Sequence, residues 1–355
     1  MQLEEFGWNQ VFSAAFDSYR QRGFSPGRVC RCHRESFLVW TPEGEFDTEA
    51  TGRLRYTADS PDDWPVVGDW VALLPGYALI DAVLPRHTKL SRKQSGAATE
   101  EQILASNVDV VFVVTDPGRD FNLRRIERYL LMVSESGAQA VVVINKVDLM
   151  DDPSSWAAKV AEISGGRPVL VLSARTGAGV ERLRSQISSG KTGALIGSSG
   201  VGKSTIVNRL LGYERLPTRG VRDSDGRGVH TTTHREIIPI PGAGLLMDMP
   251  GLRELQLWGG TESADGTFSD IGALADNCRF RDCLHGVEAG CAVLAAVADG
   301  GLDRRRYDSY LKLRKELAYL ETKVDERAAL ETRRKQKRLH KQYRGISKRG
   351  GAKPF

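Results

Sequence analysis

The chain has 355 residues, 41% hydrophobic and 27% charged, which is the balance of a globular protein with two or three domains rather than a disordered or fibrous one. No run reaches the roughly eighteen apolar residues of a membrane span. The opening MQLEEFGWNQVF is acidic where an export signal is basic, so the sequence predicts a cytoplasmic protein without a membrane partner. The net charge of +5 resides at one end: residues 332–355 hold ten Lys or Arg and no acid, leaving −5 for the rest. A cationic cluster of this kind releases counterions when it meets a nucleic-acid backbone.

Leu3, Phe6, Trp8, Phe12, Phe16 and Tyr19 recur at helical spacing and predict a short amphipathic helix over 3–20. From Arg28 to Leu90 the texture turns to short β-like runs, RVCRC, SFLVW, GRLRY, DWVAL and ALIDAV, parted by the turn signals TPEG, PVVGD and LPG. This predicts a five-stranded barrel. Cys30, Cys32 and His33 lack a fourth ligand and read as ordinary core or surface residues. After Asp109 come apolar, β-branched runs, VVFVV, AVVVI, PVLVL and ALIG, with helical stretches such as LRRIERYLLMVSESG between them. They predict a parallel, doubly wound α/β sheet covered on both faces. Strand texture stops near Trp258, and Tyr310, Leu313, Leu317, Leu320 and Val324 form the apolar stripe of a late helix.

The stretch GSSGVGKST (197–205) fits the phosphate-binding loop, with Gly197, Gly202, Lys203 and Ser204 at the defining positions, a strand before it and a helix after. Glycines let backbone N–H groups turn onto phosphate, and the helix aims its positive end there. Lys203 is expected at the β- and γ-phosphates and Ser204 at Mg²⁺. NKVD (145–148) ends the strand AVVVI, and its aspartate can accept from guanine N1–H and the exocyclic amine, which adenine does not offer. Leaving such a carboxylate unpaired discriminates against the wrong base by about 10⁴-fold. Ser173 and Ala174 form a turn that supports the base edge. VHTTTHRE supplies Thr231, Thr232 and Thr233, of which one is expected to reach Mg²⁺, Thr232 being the residue taken. LLMDMPG supplies Asp248 and Gly251 in a D-x-x-G pattern that senses the γ-phosphate.

The order is base reader, Ser-Ala turn, phosphate loop, threonine switch, D-x-x-G, whereas the phosphate loop ordinarily comes first. A doubly wound sheet whose termini lie close together tolerates joining them and cutting elsewhere, so the order predicts a circular permutation. Position 252, where Ras-type hydrolases carry a water-orienting glutamine, is Leu. His230, directly before the threonines, is therefore the catalytic candidate beside Lys203. Downstream, Cys278, Cys283, His285 and Cys291 are spaced C-x₄-C-x-H-x₅-C, the ligand set of a closed, structural zinc site.

With PVVGDWVAL, LPRHTKLSR, GSSGVGKST and CRFRDCLH in place, nearly the whole chain resembles the bacterial ribosome small-subunit-dependent GTPase A family. The resemblance implies an oligonucleotide-binding-type barrel with an RNA-binding role over 1–93, a permuted GTPase domain over 94–258, and a helical zinc-binding domain with a basic end over 259–355. It implies a monomeric late-maturation factor that docks on the small ribosomal subunit, meeting 16S rRNA and proteins, and there hydrolyses GTP to GDP. The alternative is an rRNA-binding, GTP-dependent switch with incidental hydrolysis. Carried over by position, Asn145, Lys146 and Asp148 bind guanine. Gly197, Ser198, Ser199, Gly200, Val201, Gly202, Lys203, Ser204 and Thr205 bind the phosphates, and the four downstream residues bind zinc.

Overall fold

The computed structural model describes residues 2–33, 36–58, 60–93, 101–118, 121–216, 235–248, 267–319 and 322. His230, Thr231, Thr232, Thr233, Gly251, Leu252, Leu320, Val324 and the basic end lie outside the described residues.

The expected helix over 3–20 is two pieces. Leu3–Phe6 is a single 3₁₀ turn that ends at Gly7 with φ +92°. Helix α1 (Gln10–Arg20) starts afresh where Asn9 Oδ1 accepts the N–H groups of Val11 and Phe12 at 2.9 and 3.2 Å. Gly7 is needed at the break, because its φ is left-handed and a Cβ there would stand 2.9 Å from the Gly190 carbonyl.

The barrel consists of β1 (Ser25–Cys32), β2 (Ser36–Thr41), β3 (Gly44–Ala50), β4 (Trp70–Leu73) and β5 (Leu79–Val83). Its order is β1-β2-β3-β5-β4, and β4 pairs back onto β1 to close it. Inside are Val29, Phe37, Val39, Val71, Leu73 and Ile80, none more than 2% exposed. The strand count agrees with expectation but one strand does not. GRLRY is helix α2 (Gly52–Thr57), begun by Thr51 Oγ1 accepting the Leu54 N–H at 3.1 Å. Only Leu54 of that run is buried, and Tyr56 is 90% exposed, so the apparent alternation has no second apolar anchor. The strand in its place, GEFDTEA, hides its pattern behind three acids. Its Glu45 is held by Trp40 Nε1–H at 2.8 Å, and its Thr48 donates to the Phe37 carbonyl at 3.1 Å.

Strands β6 (Lys89–Lys93) and β7 (Glu101–Ser106) pair antiparallel across the expected boundary at 93. The α/β layer then runs β8 (Val110–Thr115), α3 (Leu123–Ser136), β9 (Gln139–Ile144), α4 (Pro153–Ile163), β10 (Val169–Val171), α5 (Val180–Arg184), β11 (Thr192–Gly197), α6 (Lys203–Leu211), β12 (Glu236–Pro239) and β13 (Leu245–Asp248). The spatial order is β10-β9-β8-β11-β13-β12, parallel except for β12. Residues alternate between the faces as the pleat requires. Val111 and Val113 pack in one layer with Ile126 and Leu130 of α3, while Val110, Phe112 and Val114 pack in the other with Ile206 and Leu210 of α6. The sheet is thus doubly wound.

Barrel and sheet are keyed together at β1. Arg31 sits opposite Glu236 of β12 and donates to its carboxylate at 3.1 and 2.7 Å. Arg28, 1% exposed, donates to the Phe6 carbonyl, to the Asn107 carbonyl at 3.1 Å and to Thr192 Oγ1 at 2.9 Å, at the root of β11. Burial, opposed by Asp109 and Asp69, lowers its pKa to about 10. The C-terminal part holds α7 (Ser269–Ala275), α8 (Ala292–Asp299) and α9 (residues 304–319), packed on α3 through a buried charge pair described below. Of the expected late stripe, Tyr310, Leu313 and Leu317 are all buried. No described helix is long and apolar enough to cross a membrane.

Candidate functional site

In a parallel sheet, the loops leaving the carboxyl ends of neighbouring strands converge on one edge. Here that edge gathers NKVD after β9, the Ser-Ala turn after β10, the glycine loop after β11, and Asp248 closing β13. Residues far apart in sequence therefore share one rim.

The glycine loop is shaped by steric exclusion. Gly197 has φ +145°, and a Cβ there would stand 2.2 Å from the Val114 carbonyl. Gly202, at φ +94°, leaves room for Asn145, whose Nδ2 would be 2.3 Å from a Cβ. Gly202 is also the N-cap of α6 and offers no side chain, so no side-chain cap satisfies the first-turn N–H groups, which are presented to the loop. Lys203 folds back to donate to the Gly197 and Ser198 carbonyls, both at 2.7 Å. Ser204 and Thr205 lie half-buried on the first turn, and Ser199 and Gly200 are exposed.

Asn145, 2% exposed, is the strut of the site. Its Nδ2 donates to the Val201 carbonyl at 2.9 Å and its Oδ1 accepts the Ala174 N–H at 3.0 Å. One side chain thereby links base reader, phosphate loop and Ser-Ala turn. Lys146, at a left-handed φ of +62°, donates to the Gly200 carbonyl at 2.6 Å and pairs with Asp116 at 2.5 Å. Asp148 accepts from Ser173 Oγ at 2.6 Å, with Arg175 at 3.9 Å. Val201, Ser173 and Ala174 are buried behind these polar ends. Asp116 and Arg209, which donates to the Ala174 carbonyl at 3.0 Å, were not legible in any motif. Only their position at strand and helix ends beside one would have pointed to them.

Asp248 stands apart from these bonds. Its Oδ2 is buried with no hydrogen-bond partner among the described residues. Burial, then the facing Glu236, raise its pKa to about 6, with Arg215 opposing. A desolvated carboxylate oxygen of this kind suits a cation, directly or through water, so Asp248 fits Mg²⁺. Glu236 itself is held by Arg31 and, at 2.6 Å, by Arg215; burial raises its pKa, but the two arginines outweigh it and the net direction is down.

In the C-terminal part, the ligand atoms of Cys278, Cys283, His285 and Cys291 lie within 4.8 Å of one another. An ion about 2.3 Å from sulfur and about 2.0 Å from nitrogen in a tetrahedron sets sulfur–sulfur pairs at about 3.8 Å and sulfur–nitrogen pairs at about 3.5 Å. Cys278 and Cys291 Sγ are 3.8 Å apart, and each is 3.5 Å from His285 Nδ1. The cluster could hold a metal ion. Two supports were not expected from sequence. The Glu288 carboxylate gathers the N–H groups of Leu284, Gly286 and Val287 at 3.1, 2.7 and 2.9 Å, and Tyr307 donates to the His285 carbonyl at 2.6 Å.

A closed five-stranded barrel, a doubly wound sheet with its phosphate loop late in the chain and a helical end with a four-ligand cluster define a circularly permuted P-loop GTPase. The family model described as RsgA GTPase matches residues 83–258. A relative from Opitutus terrae, "Small ribosomal subunit biogenesis GTPase RsgA", is 46% identical over 97% of both chains. Among solved structures, YjeQ from Thermotoga maritima is 28% identical with a TM-score of 0.64, covering 83% of this chain and 99% of that one. YloQ, described as a circularly permuted GTPase, shares the fold at 24% identity and TM-score 0.59, covering 83% of this chain and 95% of that one. The chain belongs to the RsgA GTPase family, and its activity is that of a GTPase.

Proposed function

We propose that this protein is a cytoplasmic, monomeric assembly factor of the small ribosomal subunit that docks on its 16S rRNA and proteins and hydrolyses GTP to GDP and phosphate there. The observation that carries the reading is the Asn145 strut, which fixes a guanine-type base reader and a phosphate loop at one mutual distance, the requirement for a guanine nucleotide. The docking partner is the one named for the Opitutus terrae relative.

In this reading Asp148 accepts from guanine, with Ser173 and Ala174 backing the base, and the backbone of 197–205 wraps the phosphates. Lys203 exchanges its two loop carbonyls for phosphate oxygens. Ser204, Thr232 and Asp248 would hold Mg²⁺, which would supply charge neutralisation at the phosphates. Asp248 and Gly251, in the D-x-x-G pattern, sense the γ-phosphate. His230 orients the attacking water, since Leu252 has no hydrogen-bonding group, and docking on the subunit brings it into place. Cys278, Cys283, His285 and Cys291 hold one structural Zn²⁺, and the barrel and the basic end face RNA. The proposed units are 1–93, 94–258 and 259–355, with the β6–β7 hairpin joining the first two.

Co-sedimentation with small subunits tests the docking claim. Binding is expected with a non-hydrolysable GTP analogue and loss of binding with GDP. Equal retention with both nucleotides would remove the nucleotide-controlled role.

A further inference from the structure

Helix α3 touches the phosphate loop on one face and the C-terminal part on another. Arg125 and Tyr129, four residues apart, share a face. Arg125 donates to Ser198 Oγ at 2.6 Å, and Tyr129 is buried. On the other side, Glu127, 2% exposed, accepts from Arg306 at 2.7 Å and from Ser309 Oγ at 2.6 Å. Arg128 grips Glu316 with both guanidinium arms, at 2.8 and 2.7 Å. Arg306 also holds Asp270 at 2.6 Å and the Thr267 carbonyl at 3.2 Å.

A buried pair such as Glu127–Arg306 resists displacement, because separating it strands a charge in a low dielectric. Helix α3 is therefore pinned to α9, and whatever α3 holds is placed relative to the C-terminal part. Arg128 and Arg306 each have carboxylate partners, while Arg125 has none among the described residues. Its cation is directed only at the loop.

We propose that Arg125 is a positioning residue of the phosphate loop, and that the C-terminal part sets its stance through the Glu127–Arg306 and Arg128–Glu316 pairs. The seating of the metal-cluster domain on α3 then governs how ready the loop is for nucleotide. The inference rests on residues 197–205 being the GTP phosphate loop.

The test is a set of double-variant cycles on the full chain, read by binding of fluorescent GDP and GTP analogues. Arg125→Ala is expected to weaken both about tenfold, the worth of one charged hydrogen bond, and to raise KM more than it lowers kcat. Arg125→Lys recovers most of the loss. Ser198→Ala alone weakens binding by a similar factor, and adding it to Arg125→Ala costs nothing more, since both break one bond. Arg306→Gln weakens binding about threefold when Arg125 is present and not at all in the Arg125→Ala background. If Arg306→Gln loses its cooperative melt, Glu316→Gln gives the same reading at a part-exposed pair. Full affinity in Arg125→Ala, or independent effects of Arg125 and the α9 variants, overturns the proposal. Failure of the parent chain to bind GTP would instead overturn the phosphate-loop reading beneath it.

Discussion

Replacing Asn145 with alanine probes the strut that joins three separate loops. The side chain makes two hydrogen bonds, to the Val201 carbonyl at 2.9 Å and from the Ala174 N–H at 3.0 Å, in a place only 2% exposed. Truncation leaves one buried acceptor and one buried donor unpaired, each worth about 1–3 kcal/mol. Partial relief by water entering the small gap brings the expected loss to about 3 kcal/mol. At about 2–4 °C per kcal/mol for a domain of this size, the melt of the nucleotide-free protein should fall by about 6–12 °C. GTP affinity should fall with it, because base reader and phosphate loop are then no longer held at one spacing. Calorimetry gives the first quantity and fluorescent-nucleotide titration the second. A melt within about 2 °C of the parent, together with parental affinity, would refute the reasoning, since buried orphaned groups cannot be that cheap.

Three further expectations follow from the geometry. Asp148→Asn should weaken GTP and admit xanthine nucleotides, whose 2-oxo group accepts where guanine donates; competition binding that still prefers GTP would remove Asp148 as base reader. One zinc per chain is expected from elemental analysis, and Cys283→Ser should lose it and lower the melt of the C-terminal part, whereas full metal content in that variant would refute the ligand set. Asp248, raised to about 6 chiefly by burial, is protonated below that pH, and a proton there competes with Mg²⁺. Mg²⁺-dependent tightening of GTP should therefore be complete above about pH 7, fall as pH drops through about 6, and be weaker and without that pH dependence in Asp248→Asn; an unaltered parental profile down to about pH 5 would contradict the assignment.

Much of this architecture was legible because it rests on local pattern. Runs such as VVFVV and AVVVI are buried on both faces and leave no alternative to a parallel strand, and Gly197 and Gly202 stand where a Cβ would meet other atoms at 2.2 and 2.3 Å. The permuted order was also readable, because each motif carries its own strand. Patterns with weak periodicity failed. GEFDTEA is a strand whose Glu45 and Glu49 are engaged by Trp40 and Arg55, and GRLRY alternates like a strand but is begun as a helix by Thr51. The break at Gly7 depends on the turn at Gly190, a contact across 183 residues that no local spacing encodes. The same holds for the site: Asn145 was named for guanine, but its strut role, like Arg125 on Ser198 and Glu127 with Arg306, exists only once distant segments meet.

The central claim is GTP hydrolysis in the service of small-subunit assembly, and steady-state turnover with and without purified small ribosomal subunits tests it most directly. The protein alone should turn over slowly, because Leu252 cannot hold the attacking water. Added small subunits should stimulate it strongly while large subunits do not, and His230→Ala should bind GTP yet lose the stimulation. Turnover that is the same with small subunits, large subunits or neither would contradict the account.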